Sequence, residues 1–148
     1  MKSTELAYVA GLIDGEGTVT IVKTKLYRGR KTPSYQLMVR LEMTCEETIK
    51  RAQKVMGGVV KARVSKHPNF KTSYRLVRVS NDAYSFLKLI QRYCTTKSPQ
   101  IAAGLRLQEE GKSPLIGPKQ VPQETVDFKE QLFQEVRSYH KKNYVNRD

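Results

Sequence analysis

The chain has 148 residues, 39% of them hydrophobic and 28% charged, which suits one folded domain and excludes a disordered polymer. Cys45 and Cys94 stand far apart outside any CxxC, and the two histidines make no metal cluster. A disulfide framework and a zinc cage are therefore not expected, and the cysteine usage suits a reducing compartment. The formal charge of +13 implies a polyanionic partner, and its distribution makes that nucleic acid. Residues 17–41 hold six Lys/Arg and residues 48–81 hold nine, with no Asp/Glu in either stretch. Eight of the 14 acidic residues follow position 81, so the basic groups gather on one face of the fold. No basic amphipathic helix carries them, no apolar run spans a bilayer, and "MKSTELAYVA" lacks a signal-peptide cleavage pattern, so no membrane partner is expected.

In chain order, Ser3 or Thr4 is placed to cap a helix that runs to about Asp14 and is ended by Gly15 and Gly17. "TVTIVKTKLY" (18–27) is β-branched and reads as a strand. "YQLMVRLEM" (35–43) alternates, with Leu37, Val39, Leu41 and Met43 on one face and Gln36, Met38, Arg40 and Glu42 on the other. Thr44 is the expected cap of the helix "CEETIKRAQKVM", closed by Gly57-Gly58. A second hairpin pairs "VVKARVS" with "SYRLVRVS", setting Val60, Ala62 and Val64 opposite Lys61, Arg63 and Ser65. Asn81 or Asp82 is expected to cap "AYSFLKLIQRY". A further helix begins near Ser98-Pro99, and a final amphipathic one covers 124–142, with Val126, Phe128, Leu132, Phe133 and Val136 on its apolar side. The reading is one α+β domain over 1–148, α-β-β-α-β-β-α-α-α, with a four-stranded antiparallel sheet.

The opening helix holds the chemistry. Ala7, Gly11 and Gly15 recur every four residues and leave a shallow stripe on which a second helix fits closely. Glu16, pinned between two glycines, puts a carboxylate at the sheet edge. Two such helices crossing bring two carboxylates together, which repel unless a hard divalent cation lies between them.

"VAGLIDGEG" (9–17) resembles the signature of the LAGLIDADG homing endonucleases: Ala10, Gly11, Leu12, Ile13, Asp14 and Gly17 stand at its matching positions. The two hairpins, each followed by a helix, fit that family's α-β-β-α-β-β-α core over about residues 4–95. A single copy of the signature resembles the homodimeric branch, which implies a dimer through Ala7, Ala10, Gly11 and Asp14, although Asp14 is also placed to cap or pack at the helix end. By the same resemblance Glu16 is the acidic metal ligand, the Gly15 carbonyl also contacts metal, and Mg²⁺, with Mn²⁺ as a substitute, is the ion. "TTKSPQ" (95–100) resembles a segment that places Lys97 at the active-site periphery. Cys45 stands where relatives often carry a polar, water-organising side chain, so either Glu46 or Glu42 assists or the water network differs. Lys50 and Arg51, a turn on, are placed either to approach the scissile phosphate or to stay solvated on the surface.

The resemblance lays the sheet along the DNA major groove, where each base pair shows a distinct donor and acceptor pattern. The side chains facing away from the core then read it. These are Thr18, Thr20, Val22 and Thr24 on the first strand and Gln36, Met38, Arg40 and Glu42 on the second. Lys61, Arg63 and Ser65 follow on the third and Arg75 on the fourth, with Arg78 facing the other way by parity. Lys25, Tyr27, Arg28, Arg30 and Lys31 near the first hairpin tip suit phosphates or outer base pairs, and Lys23 needs a bend or bulge to reach solvent. The implied reaction is a metal-dependent double-strand break in a pseudo-palindromic duplex, leaving short 3′ overhangs. An intron RNA maturase and a DNA-binding regulator without catalysis are the alternatives, and an organelle-encoded or prokaryotic origin fits equally.

Overall fold

In the computed structural model, which describes residues 1–24, 29–112, 117 and 120–141, the order of elements is as expected. They are α1 (Ser3–Glu16), β1 (Gly17–Thr24), β2 (Ser34–Met43), α2 (Glu46–Met56), β3 (Lys61–Arg63), β4 (Ser73–Val79), α3 (Ser80–Ile90), α4 (Ser98–Glu110) and α5 (Gln123–Lys141). A short 3-10 turn, Gln91–Tyr93, follows α3. The strands form one antiparallel sheet in the order β1-β2-β4-β3. None of the described helices is long and apolar enough to cross a membrane.

Strand alternation divides the sheet into two faces. Val19, Ile21, Leu37, Val39, Leu41 and Leu76 are buried on one of them. They join Val9, Ala10 and Ile13 of α1, Ile49 and Ala52 of α2, Phe86, Leu87 and Ile90 of α3, Ile101 of α4, and Leu132 and Val136 of α5 in a continuous core. Gly104 of α4 lies so close to β2 that a Cβ there would stand 2.4 Å from Leu37 Cδ1. The intervening strand positions stay open or partly open to solvent.

Local expectations needed correction in several places. α1 runs two residues past Asp14, and Gly17 alone closes it, donating its N–H to the Leu12 and Ile13 carbonyls. Neither Thr44 nor Asn81 nor Asp82 caps a helix: Cys45 and Val79 occupy the N-cap positions of α2 and α3, and neither side chain makes a capping bond. Gly57 ends α2 at φ +71°, a conformation glycine adopts without steric cost. β3 has only three residues, all exposed, and Ala62 and Val64 do not reach the core. As the outermost strand it has a single neighbour, β4, and its flanks Val59 and Val64 are 72% and 75% exposed.

Candidate functional site

The α1–β1 junction is set by sterics. A Cβ on Gly17 would stand 2.7 Å from Ile13 Cα, so the chain can leave the helix into β1 along this path only with glycine. Glu16, the last helical residue, is thereby held at the edge of the sheet, exposed and without an ion pair among the described residues. Ala7, Gly11 and Gly15 are exposed along α1, and nothing lies within 4 Å of a Cβ built on either glycine. Ala10, expected in a contact with a second subunit, is fully buried against the core, and its carbonyl accepts from the Cys94 thiol. It has no surface to offer a partner.

Asp14 is likewise committed within the chain. Its carboxylate accepts the Thr95 N–H at 2.7 Å and the Lys97 N–H at 2.9 Å, while Lys97 Nζ donates to the Asp14 carbonyl at 3.1 Å. The segment leading into α4 is thus tied to the end of α1, and the Lys97 ammonium sits beside the turn that ends in Glu16. Gln100, one turn into α4, is only 5% exposed, and its side-chain oxygen has no hydrogen-bond partner among the described residues. Cys94 next to this junction is buried, and burial pushes its thiol up to about 11, which keeps it protonated.

Cys45 and Lys50 are not drawn into this cluster, and no hydrogen bond or ion pair joins either to Glu16 or Lys97. Cys45 is exposed at the start of α2, with its thiol held below the usual range chiefly by the Thr48 hydroxyl. Lys50 forms an ion pair with Glu46 at 2.6 Å on the surface of α2 rather than standing free for a phosphate. Arg51 is engaged as well: its guanidinium binds both oxygens of Glu5 and stacks 3.7 Å from the centre of the Tyr8 ring, fixing α2 against α1. Of the two acids considered as helpers for Cys45, Glu46 is held by Lys50 and Glu42 by Arg75.

The outward sheet face carries the expected residues in register. Thr18 pairs with Arg40 and Arg40 with Val77; Thr20 pairs with Met38 and Val22 with Gln36. Glu42 pairs with Arg75, Arg75 with Lys61, and Ser73 with Arg63. Thr24 is exposed at the end of β1. Arg78 faces the helices, binding Asp82, as parity requires. Gln36 donates to the Ser80 hydroxyl at the head of α3. Arg30 and Lys31 are exposed in the β1–β2 connection, Ser65 lies past the end of β3 with its hydroxyl bonded by the His67 N–H, and Lys25, Tyr27 and Arg28 lie outside the described residues. Lys23 needs no bulge: α5 supplies Glu130 at 2.8 Å, and the lysine ammonium lies over the rings of Tyr35 and Phe133. Sequence reasoning missed Lys66 and Lys71. With Arg63, Val64, Ser65 and Ser73 they line an open cleft of about 420 Å³ at the second hairpin, and the signal was two lysines in a stretch read only as a turn.

The chain thus joins a four-stranded antiparallel sheet with a cationic outer face to a first helix whose last residue is acidic. The profile of the LAGLIDADG endonuclease family matches residues 9–102, and the chain belongs to that family. The homing endonuclease I-CvuI, solved with its DNA target in the presence of calcium, superposes with a TM-score of 0.59 at 15% identity, over 97% of each chain. The archaeal intron-encoded I-Vdi141I, complexed with DNA, gives 0.56 at 12% identity over 95% of this chain and 99% of its own. I-GzeII with its DNA target gives 0.60 at 13% identity, over 97% of this chain and 51% of that one. The chain spans about half of I-GzeII and 55% of the group I intron-encoded I-CeuI. Nothing among curated protein sequences matches it. At these identities the solved structures establish the fold.

Proposed function

We propose that the chain, as one domain, is a site-specific endonuclease acting as a homodimer on pseudo-palindromic double-stranded DNA. The observation that carries this is the α1 terminus: an exposed Glu16 next to a Lys97 fixed by Asp14, at the end of an open stripe of Ala7, Gly11 and Gly15. Two chains crossing along that stripe bring their Glu16 side chains together. The Glu16 carboxylate and the Gly15 carbonyl are hard oxygen ligands that would hold a Mg²⁺ ion. Among the described residues no three His, Cys, Asp or Glu side chains are grouped so as to hold a metal ion. When bound, the metal activates water and stabilises the leaving 3′ oxygen. Glu16 holds that ion in place, and Lys97 stabilises negative charge developing on the phosphate. Lys66 and Lys71, between β3 and β4, fix register through phosphate contacts, and the sheet reads sequence through its outward side chains.

I-CvuI was solved with DNA in the presence of magnesium, the DNA not cleaved, and in the presence of calcium, which is consistent with divalent metal use. The test is cleavage of a duplex selected by the protein itself, with and without Mg²⁺. Linearisation that requires the metal and disappears in Glu16→Gln, with DNA affinity retained, supports the nuclease. Tight, sequence-selective binding with no cleavage moves the reading to a DNA-binding regulator, and accelerated splicing of a host intron moves it to a maturase.

A further inference from the structure

Glu42 is the only acid in any described strand, and it lies on the face that otherwise presents Arg40, Lys61, Arg63 and Arg75. A free carboxylate there would repel the phosphates that supply most of the affinity. Glu42 is not free. Its Oε2 accepts Arg75 Nε at 2.9 Å and the Arg75 Nη2 at 2.8 Å, and its Oε1 accepts the Ser73 hydroxyl at 2.7 Å, with Arg63 Nη1 at 3.8 Å. Hydrogen bonds from Ser73 and Arg75 hold its carboxyl below the usual range. A carboxylate occupied in this way is a poor acceptor for the cytosine amino group, which is how an outward glutamate ordinarily reads a base.

The consequence falls on Arg75. Its Nε edge is spent on Glu42, and Nη1 has no partner among the described residues. A guanidinium has a planar fork of five N–H donors, so fixing one edge fixes the direction of the other. Lys61 on one side and Glu42 on the other are its cross-strand neighbours, and its side chain is 32% exposed. Two parallel N–H groups on a restrained arginine match the O6 and N7 acceptors of guanine in the major groove. We infer that Arg75, aimed by Glu42, reads a guanine in each half-site, and that Glu42 acts as its positioning residue rather than as a base contact. This inference rests on the DNA-binding reading above and names a specificity determinant within it.

The test is selection of duplexes from a randomised library by the full-length protein in calcium, followed by sequencing of the bound fraction. Wild type should enrich a guanine at one position of each half-site. Arg75→Ala and Arg75→Lys should lower that preference about tenfold or more while other positions keep theirs. Glu42→Gln should lower it at the same position, short of the loss in Arg75→Ala. Thermal unfolding of each variant checks folding; should Glu42→Gln fail to fold, the Arg75 pair decides alone. An unchanged consensus in Arg75→Ala overturns the inference and leaves the DNA-binding reading standing. A cytosine preference lost in Glu42→Gln but kept in Arg75→Ala also overturns it, making Glu42 a direct reader. No enrichment by wild type overturns the DNA-binding reading itself, and the inference with it.

Discussion

Asp14 and Lys97 hold each other from both directions, the carboxylate taking the lysine's backbone N–H at 2.9 Å and the lysine's ammonium returning to the aspartate's carbonyl at 3.1 Å. Asp14 therefore serves the site through another residue, and its place in the signature motif is explained without contact to a partner subunit. Asp14→Ala removes the acceptor for two backbone donors and should cost about 1–2 kcal/mol of stability, read from chemical denaturation. It should also lower the cleavage rate to about the level of Lys97→Ala. The double variant should be little worse than either single one, because both changes remove the same ammonium from the same place. Additive losses would mean that Asp14 and Lys97 work separately.

Glu16 puts a negative charge on the negative end of a helix, which costs stability in the free protein. Glu16→Gln should therefore raise stability by about 0.3–1 kcal/mol, or about 1–4 °C in melting temperature for a chain of this size, while abolishing metal-dependent cleavage. Opposite signs for the two effects mark a group kept for chemistry at the expense of the fold. A fall in melting temperature would show that Glu16 instead supports the junction.

The helices and the two faces of β2 were legible because they rest on local periodicity: Leu37, Val39 and Leu41 are buried where alternation put them, and Arg78 turns inward as parity required. The signature stretch gave Glu16 its place because the glycine that shapes the junction sits beside it in sequence. What escaped depended on partners distant along the chain. Lys23 looked misplaced because the carboxylate that pairs with it is 107 positions away on α5. The pairing of Glu42 escaped because nothing in its own strand reveals that Ser73 and Arg75 bond both its oxygens. Ala10 and Gly11 are neighbours in sequence, yet one is buried and the other open, and only the packing of α1 distinguishes them. The caps escaped for a further reason: polar side chains suited to capping stand close by, while the backbone alone starts α2 and α3.

Gly17 couples stability to catalysis. Its φ of −81° is open to any residue, so the constraint is contact: a Cβ would meet Ile13 Cα at 2.7 Å and Ile13 O at 2.8 Å, both backbone atoms that cannot rotate away. Gly17→Ala must push β1 off the end of α1, at about 1–3 kcal/mol. Because Glu16 is the adjacent residue, the same displacement should lower cleavage more than DNA binding, whose contacts lie along the sheet. Gly11→Ala, with open space around its Cβ, serves as the control and should leave the monomer's stability unchanged or slightly raised. Equal effects of Gly17→Ala on binding and cleavage would remove the proposed coupling.

The last helix lies beyond the residues matched by the family profile, yet it is fastened to the first hairpin through one carboxylate. Glu130 receives Lys23 at 2.8 Å, the Tyr35 hydroxyl, and Gln134 at 2.9 Å. Lys23 above all, then Tyr35 and Gln134, bring its carboxyl down from 4.5 to about 2, and burial with hydrogen bonding to Glu130 raises the Tyr35 hydroxyl. A carboxyl depressed in the folded state stabilises it fully above the unfolded value, and the gain fades as pH falls from about 4.5 toward 2. Allowing for solvent at a group with 32% side-chain exposure, the contribution at neutral pH is about 1 kcal/mol. Glu130→Gln should lose that amount at pH 7, and its melting temperature should fall less steeply than wild type's between pH 5 and pH 2. Glu5, Glu42 and Glu46 are also depressed and persist in the variant, so the difference between the two curves isolates Glu130. Parallel curves would mean that α5 is held by Leu132 and Val136 alone and that the charge cluster contributes nothing. If instead the curves converge at low pH, α5 is an electrostatic brace on the hairpin that carries Thr18, Arg40 and Glu42.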